Sequence, residues 1–192
     1  MRAKDVMTRP VMTVTPDVPI REAAALLVSH GFTALPVVDT SGRLVGIVTE
    51  ADLLRGRYDS HPEPPGSPVG SVMTTPAFGM GLGTAVALLA RVMVDDHVRC
   101  LPIIEDARVV GVVTRRDLVR ALARTDAAIA ADVRRRLEAY GGDRGWTVAV
   151  HDGEVTVGVE FADAESARVV TALAEGVPGV VTTTVGTGED LA

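Results

Sequence analysis

The chain repeats itself. Gly46-Ile47-Val48-Thr49-Glu50-Ala51-Asp52-Leu53 returns as Gly111-Val112-Val113-Thr114-Arg115-Arg116-Asp117-Leu118. Val6-Met7-Thr8 returns as Val72-Met73-Thr74, and Leu35-Pro36 as Leu101-Pro102. The upstream pairs are offset by 66 residues and the downstream pair by 65, so one residue is lost in a turn. A repeat this long is two copies of one folding unit, which is expected to bury its apolar face on its neighbour. The groove between the copies is then the first place to look for function.

With 192 residues, 47% of them hydrophobic, the chain can bury a core and is not disordered as a whole. No apolar run approaches the ~20 residues that cross a bilayer. The start, Met1-Arg2-Ala3-Lys4-Asp5, enters a strand-like pattern and lacks a signal-peptide apolar region, so a cytoplasmic location is expected. The single Cys100 agrees, since it excludes an intrachain disulfide. It stands before Leu101-Pro102 and reads as a small buried hydrophobe, with no His or acid nearby in the pattern to activate it.

The net charge of −6 is uneven. Residues 1–125 hold 14 Lys and Arg against 13 Asp and Glu; residues 126–192 hold 5 against 12. The C-terminal part therefore reads as a separate acidic module. It is unsuited to nucleic acid or anionic lipid, because affinity for both rests on Lys and Arg.

Each copy reads as β-α-β-β-α. In the first, Val11–Val14 is a strand, and Thr15-Pro16-Asp17 signals a helix start. Ile20, Ala23, Ala24, Leu27 and Val28 recur at helical spacing up to Gly31. Ala34–Val38 and Leu44–Val48 form a hairpin around Asp39-Thr40-Ser41-Gly42, and Thr49 caps a short helix through Leu54. The second copy runs through Val86–Val94, Leu101–Ile104, Val109–Val113 and Thr114–Ala123. Between them, Arg57–Val69 contains four prolines and a glycine within eight residues and reads as a mobile spacer, with His61 solvated.

After Thr125 the order is α-β-β-α-β. Ile129, Val133, Leu137 and Tyr140 fall on one helical face, capped by Thr125 or Asp126, and Gly141–Gly145 breaks the helix. Trp146–Val150 and Val155–Phe161 are strands around the hairpin signal Asp152-Gly153. A helix over Ala164–Glu175, a Val177-Pro178-Gly179 turn, a strand Val180–Val185 and a frayed tail after Gly186 complete the pattern. The overall fold class is α/β (α+β): two packed repeats and one small domain.

The chemistry concentrates in the repeated Gly-x-x-Thr-x-x-Asp. Thr49 or Thr114 sits at a helix N-terminus, whose unpaired N–H groups suit a phosphate. Asp52 or Asp117 lies one turn on, where a carboxylate can accept both hydroxyls of a ribose. The same residues also make an ordinary helix-capping arrangement. Both readings stand at this point.

Residues 1–125 resemble a tandem pair of CBS domains, the Bateman module. The resemblance rests on the doubled Val-Met-Thr, the Leu-Pro-Val or Leu-Pro-Ile strand and the strand-Thr-x-x-Asp end. It implies a pseudo-twofold pair, with domains at 1–57 and 69–125 and a linker at 58–68. It implies adenosine-containing ligands (AMP, ADP, ATP or S-adenosylmethionine) in two inter-domain clefts, with no cofactor required. Carried over, one cleft combines Thr114 and Asp117 with Thr8, Thr13, Phe32, Thr33 and Ala34. The other combines Thr49 and Asp52 with Thr74, Phe78, Val98, Arg99 and Cys100. Arg115 and Arg116 follow Thr114, whereas Glu50 follows Thr49, so the Asp117 cleft is expected to favour the more phosphorylated ligand. A solvated helix face is the other reading of the two arginines.

Residues 126–188 resemble a BON domain. The hairpin Val148–Val159, the following helix and Gly176-Val177-Pro178-Gly179-Val180 carry that resemblance. It implies binding to membranes or macromolecules, but the acidity of this segment argues against anionic membranes. Arg134-Arg135-Arg136, beside Asp132 and Glu138, reads as a self-paired solvated face.

No catalytic set is visible, so an enzyme is not expected. His30, His61, His97 and His151 lack metal-ligand spacing; His30 and His97 read as residues that end helices. The leading expectation is a regulatory nucleotide sensor, homodimeric through its CBS domains and relaying to a protein partner. The alternative is a structural dimerisation module without a nucleotide ligand.

Overall fold

The computed structural model describes residues 1–142, 145–158 and 164–186. The chain divides into two compact units, Met7–Asp117 and Met1–Val6 with Leu118–Ala192. The fold is mixed α and β, as expected. No helix among the described residues is long and apolar enough to cross a membrane.

In the repeat unit, the first copy contains α2 (Ile20–His30), β1 (Ala34–Val38), β2 (Leu44–Thr49) and α3 (Glu50–Tyr58). The second contains β3 (Met80–Gly81), α4 (Val86–Asp95), β4 (Cys100–Glu105), β5 (Arg108–Thr114) and α5 (Arg115–Leu122). The strand expected at Val11–Val14 is reduced to one parallel bridge from Val14 to Val37. Val14 exchanges hydrogen bonds with Pro36 and Val38, but Pro36 has no N–H with which to extend the ladder. Its counterpart β3 lasts two residues, parallel to β4.

Helix α2 starts at Ile20, later than Thr15-Pro16-Asp17 suggested. The Thr15 carbonyl instead closes a turn onto Val18, and Pro19 supplies the first helical approach. Gly31 ends the helix at φ 64°, a left-handed position that costs glycine little. Ala23 and Leu27 face the core, whereas Val28, expected on the same face, is 84% exposed. The β1 run is buried throughout, and with Val48, Leu53 and Val69 it forms the core of the first copy. Leu89, Met93, Leu101, Ile103 and Val113 are the buried counterparts in the second. Each such side chain contributes about 1.5–3 kcal/mol on burial.

The linker is not a free spacer. Glu63 donates to the Gly56 carbonyl, Ile20 to Ser67, and Val69 to Val18, so its strand-like end is tied to the first copy. With α2 and α3 it walls a groove of about 730 Å³ lined by Ile20, Ala24, Leu53, Leu54 and Tyr58.

The copies interlock through their lead-in segments. Thr8 pairs with Val112 of the second copy, with N···O distances of 2.8 and 3.3 Å. Thr74 pairs likewise with Ile47 of the first, at 2.9 and 3.1 Å. The hairpin ends also meet, Arg43 opposite Arg108. At Gly111 a Cβ would lie 2.6 Å from the Met7 Sδ, and at Gly46 equally close to that of Met73. Glycine therefore lets each methionine lie against the opposing strand.

In the other unit, the start of the chain is a short helix, α1 (Ala3–Val6), rather than strand-like. The C-terminal order is α6 (Asp126–Gly141), β6 (Thr147–His151), β7 (Glu154–Gly158), α7 (Ala164–Glu175) and β8 (Thr182–Gly186). The sheet order is β6-β7-β8, with β7 and β8 parallel. Thr125 caps α6, while the Asp126 carboxylate holds the N–H groups of Asp152 and Gly153 in the hairpin turn. Ile129, Val133 and Leu137 pack on Val148, Val155, Val157 and Val170. Tyr140, in the last turn of α6, is 50% exposed although its spacing places it on their face. The expected continuation of β7 through Phe161 and the tail beyond Gly186 lie outside the described residues, as do Asp143 and Arg144.

Candidate functional site

Each repeat end builds the same small network. The Asp52 Oδ2 accepts the Thr49 N–H at 2.8 Å and its hydroxyl at 2.7 Å, and the Asp52 N–H donates back to the Thr49 Oγ1 at 3.3 Å. In the second copy, Asp117 and Thr114 repeat this at 2.8, 2.7 and 3.4 Å. These are reciprocal capping boxes. Asp52 and Asp117 are only 4% and 6% exposed. Burying a carboxylate is tolerable only because such donors surround it. The capping reading of Thr-x-x-Asp is therefore realised in both copies. It leaves each Oδ1 as the oxygen that faces other partners.

The Asp52 Oδ1 pairs with Arg55 on its own helix at 3.2 Å. The Asp117 Oδ1 accepts the hydroxyl of Thr8, a residue of the other copy, at 3.3 Å. The structure thus brings Thr8, Thr114 and Asp117 together across the copies. Thr74 reaches the opposing strand through Ile47, two residues before Thr49.

The residues before Leu-Pro sit otherwise than the expected grouping. Ala34 is opposite Thr49, and the Thr33 carbonyl accepts the Glu50 N–H at 3.2 Å. Cys100 is opposite Thr114, and the Arg99 carbonyl accepts the Arg115 N–H at 3.3 Å. Each segment therefore runs beside the Thr of its own copy, because hairpin register sets a strand start against its partner's end. No hydrogen bond among the described residues links Phe32, Thr33 or Ala34 to Asp117, or Val98, Arg99 or Cys100 to Asp52. The Phe32 ring stacks on His30, centroids 5.2 Å apart. The His30 Nδ1 lies 3.1 Å from the Leu26 carbonyl, at the end of α2. Thr13 is half-buried and Phe78 exposed.

Arg115 is committed. Its guanidinium donates to the carbonyls of Met93 at 2.6 Å and Val98 at 3.1 Å. It satisfies carbonyls at the C-terminal end of α4 while remaining exposed, so it is not a free anion ligand. Arg116, Arg99 and Glu50 are exposed. Burial, and secondarily the Asp117 charge, push the Cys100 thiol up to about 12, which leaves it unreactive. No cluster of three metal-ligating side chains occurs among the described residues.

Sequence reasoning overlooked Met7, Met73 and Arg55. The methionines were visible in the doubled Val-Met-Thr, and an Arg follows each Asp by three residues, at 55 and 120.

The CBS domain family matches residues 3–59 and 69–124. Protein MJ1404 of Methanocaldococcus jannaschii is 32% identical over 130 residues, covering 62% of this chain and 31% of its own length. The chain thus spans about a third of that relative. The CBS domain pair of MJ0100, solved with 5′-methylthioadenosine and S-adenosyl-L-methionine, is 30% identical with a TM-score of 0.57. It covers 62% of this chain and 94% of its own. CBSX2, solved with AMP, is 30% identical with a TM-score of 0.56 and covers the same shares.

Proposed function

This chain belongs to the CBS-domain family, and on that premise we propose that it is a non-catalytic regulatory sensor of adenosine-containing nucleotides. The observation that carries this is the meeting of Thr8 with Asp117 and Thr114 across the two copies. Buried carboxylate, hydroxyls and helix start converge there as a nucleoside phosphate requires. AMP, ADP, ATP and S-adenosylmethionine are the ligand class, in keeping with what the MJ0100 pair and CBSX2 were solved with. The site residues are Thr8, Thr114 and Asp117 in one cleft and Thr49, Asp52 and Thr74 in the other. Arg116, exposed beside Thr114, is the remaining cation for a phosphate at the first. A BON-like domain over residues 126–188 passes the ligand state to a protein partner, and the chain works as a homodimer in the cytoplasm.

Calorimetry with the four ligands tests this. Binding at micromolar to millimolar concentration supports the sensor; silence from all four at millimolar concentration rejects it.

One observation favours the structural alternative. Both Thr-x-x-Asp sets are engaged in capping, while Val28, Leu54 and Tyr58 lie exposed on α2 and α3 and would form the dimer face. A dimer whose thermal stability ignores every nucleotide establishes that reading, since a ligand bound only to the folded state raises stability by mass action.

A further inference from the structure

The hairpin turns of the two copies join. Leu44 donates to the Ala107 carbonyl at 3.3 Å and Val109 to the Gly42 carbonyl at 3.2 Å, and between these bonds Arg43 stands opposite Arg108. The two arginines are 65 residues apart, the offset that relates the downstream halves of the repeat. Each is therefore the other's counterpart, and the repeat meets itself here. The bonds run from the neighbours rather than from the arginines. This is the non-hydrogen-bonded kind of antiparallel pair, whose side chains leave the same face with Cβ atoms about 5 Å apart. Ala107 holds φ 67°, a left-handed position that a residue with a Cβ keeps only where its surroundings fix it. The junction therefore holds the two side chains side by side.

Like charges directly opposite each other cost stability, yet nothing in the fold neutralises these. Both arginines are exposed, and among the described residues neither guanidinium is in an ion pair or a hydrogen bond. The neighbouring carboxylates are otherwise placed. The Asp39 Oδ1 accepts the Ser41 N–H and hydroxyl and the Arg43 main-chain N–H, at 2.9, 2.7 and 2.9 Å. Its carboxyl is held below the usual range by the Ser41 hydroxyl first and by the Arg43 charge last. Glu105 and Asp106, in the turn beside Arg108, make no ion pair with it.

We propose that Arg43 and Arg108 form an oxyanion fork on the axis relating the two copies, a site for a phosphate dianion. Two guanidiniums match its charge. A planar carboxylate spends both oxygens on one guanidinium, whereas a tetrahedral phosphate has oxygens for each of two. The fork is distinct from the nucleotide clefts. Six residues of strand, roughly 20 Å, separate each arginine from the Thr49 or Thr114 of its own copy. An anion there would bind both copies at once and remove the repulsion between them.

Calorimetry on the full chain with inorganic phosphate tests this, at about pH 8, where phosphate is a dianion, and at an ionic strength held constant with chloride. Phosphate binds the wild type at millimolar concentration or below. Arg43→Gln and Arg108→Gln each weaken that binding about tenfold, the loss of one charged hydrogen-bonding partner. Ribose 5-phosphate separates the sources: binding comparable to phosphate makes a phosphomonoester the ligand, and binding of phosphate alone makes it the free ion. Either supports the fork. The melting temperature without phosphate gives an independent reading. Both glutamine variants melt at or above the wild-type temperature, because the repulsion is gone, whereas arginines that only brace the junction would make them melt lower. The proposal is overturned by no phosphate binding in the wild type at millimolar concentration, by equal binding in both glutamine variants, or by lower melting of both without phosphate. None of these readings involves AMP, so failure of the nucleotide reading leaves them intact.

Discussion

Asp117→Ala should cost stability as well as affinity. As a pure ligand contact, Asp117 could be removed without harm to the fold. The structure instead gives it the Thr114 N–H and hydroxyl and the Thr8 hydroxyl as donors, in a nearly buried position. Loss of a capping side chain costs about 1 kcal/mol. Stranding the partly buried Thr114 N–H adds about 1 kcal/mol. The expected destabilisation is therefore about 2 kcal/mol, which lowers a urea midpoint by about 1 M. Asp117→Asn keeps one acceptor oxygen and loses only charge assistance, about 1 kcal/mol. It offers a ribose one acceptor where the carboxylate offers two, so AMP affinity falls about tenfold or more. Urea unfolding followed by far-UV circular dichroism and calorimetry with AMP read the two effects separately. An alanine variant with the wild-type midpoint would falsify the capping role. An asparagine variant that binds AMP as the wild type does removes Asp117 from the ligand site.

Gly153 and Gly42 have nearly the same backbone, φ 78° and 81°, but a Cβ at Gly153 meets the Gly179 carbonyl oxygen at 2.6 Å while Gly42 has open space. Both alanine variants bear a left-handed cost of about 1 kcal/mol, and Gly153→Ala adds an overpacking cost of about 2 kcal/mol. Trp146 fluorescence during urea unfolding reads the first and far-UV circular dichroism the second; equal losses refute the close approach. Cys100, with its thiol near 12, should resist iodoacetamide at pH 8 in the folded chain and react fully in denaturant. Rapid native labelling shows that the site is open. Hydrogen bonding from Arg124, then the charges of Arg124, Arg135 and Arg136, hold the Asp132 carboxyl below its ordinary 3.8 despite partial burial. The folded state therefore binds that proton less readily than the unfolded one. The contribution, at most about 1 kcal/mol, is full above pH 5 and is lost as pH falls through the folded value. The stability gap between wild type and Asp132→Asn should close below about pH 4; a gap that persists unchanged at pH 3 contradicts the pairing.

Much of this molecule is written in short-range pattern. Asp39–Gly42 and Asp152-Gly153 turn where their residue types require, and Gly31 ends α2. Thr49 and Thr125 cap the helices that follow them. The departures have equally local causes once neighbours are known. Val11–Val14 fails as a strand because Pro36 opposite lacks an N–H, and Val28 turns outward because α2 needs only one narrow apolar stripe. At the site, Thr-x-x-Asp was legible as a pair. The contact from Thr8 of the other copy to the Asp117 Oδ1 was not, since it joins residues 109 positions apart and only packing brings them together.

Duplication, helix ends, turns and the order of elements are properties of residues a few positions apart, so the sequence by itself determined them. Tertiary structure alone decided that Thr8 crosses to Asp117 and that Arg115 turns back onto Met93 and Val98. It also set the residues before each Leu-Pro beside the Thr of their own copy. These are pairings over long sequence separations, and no short-range pattern encodes them. They follow from which surfaces the two copies bury against each other, with Gly46 and Gly111 small enough to admit the methionines that fasten them.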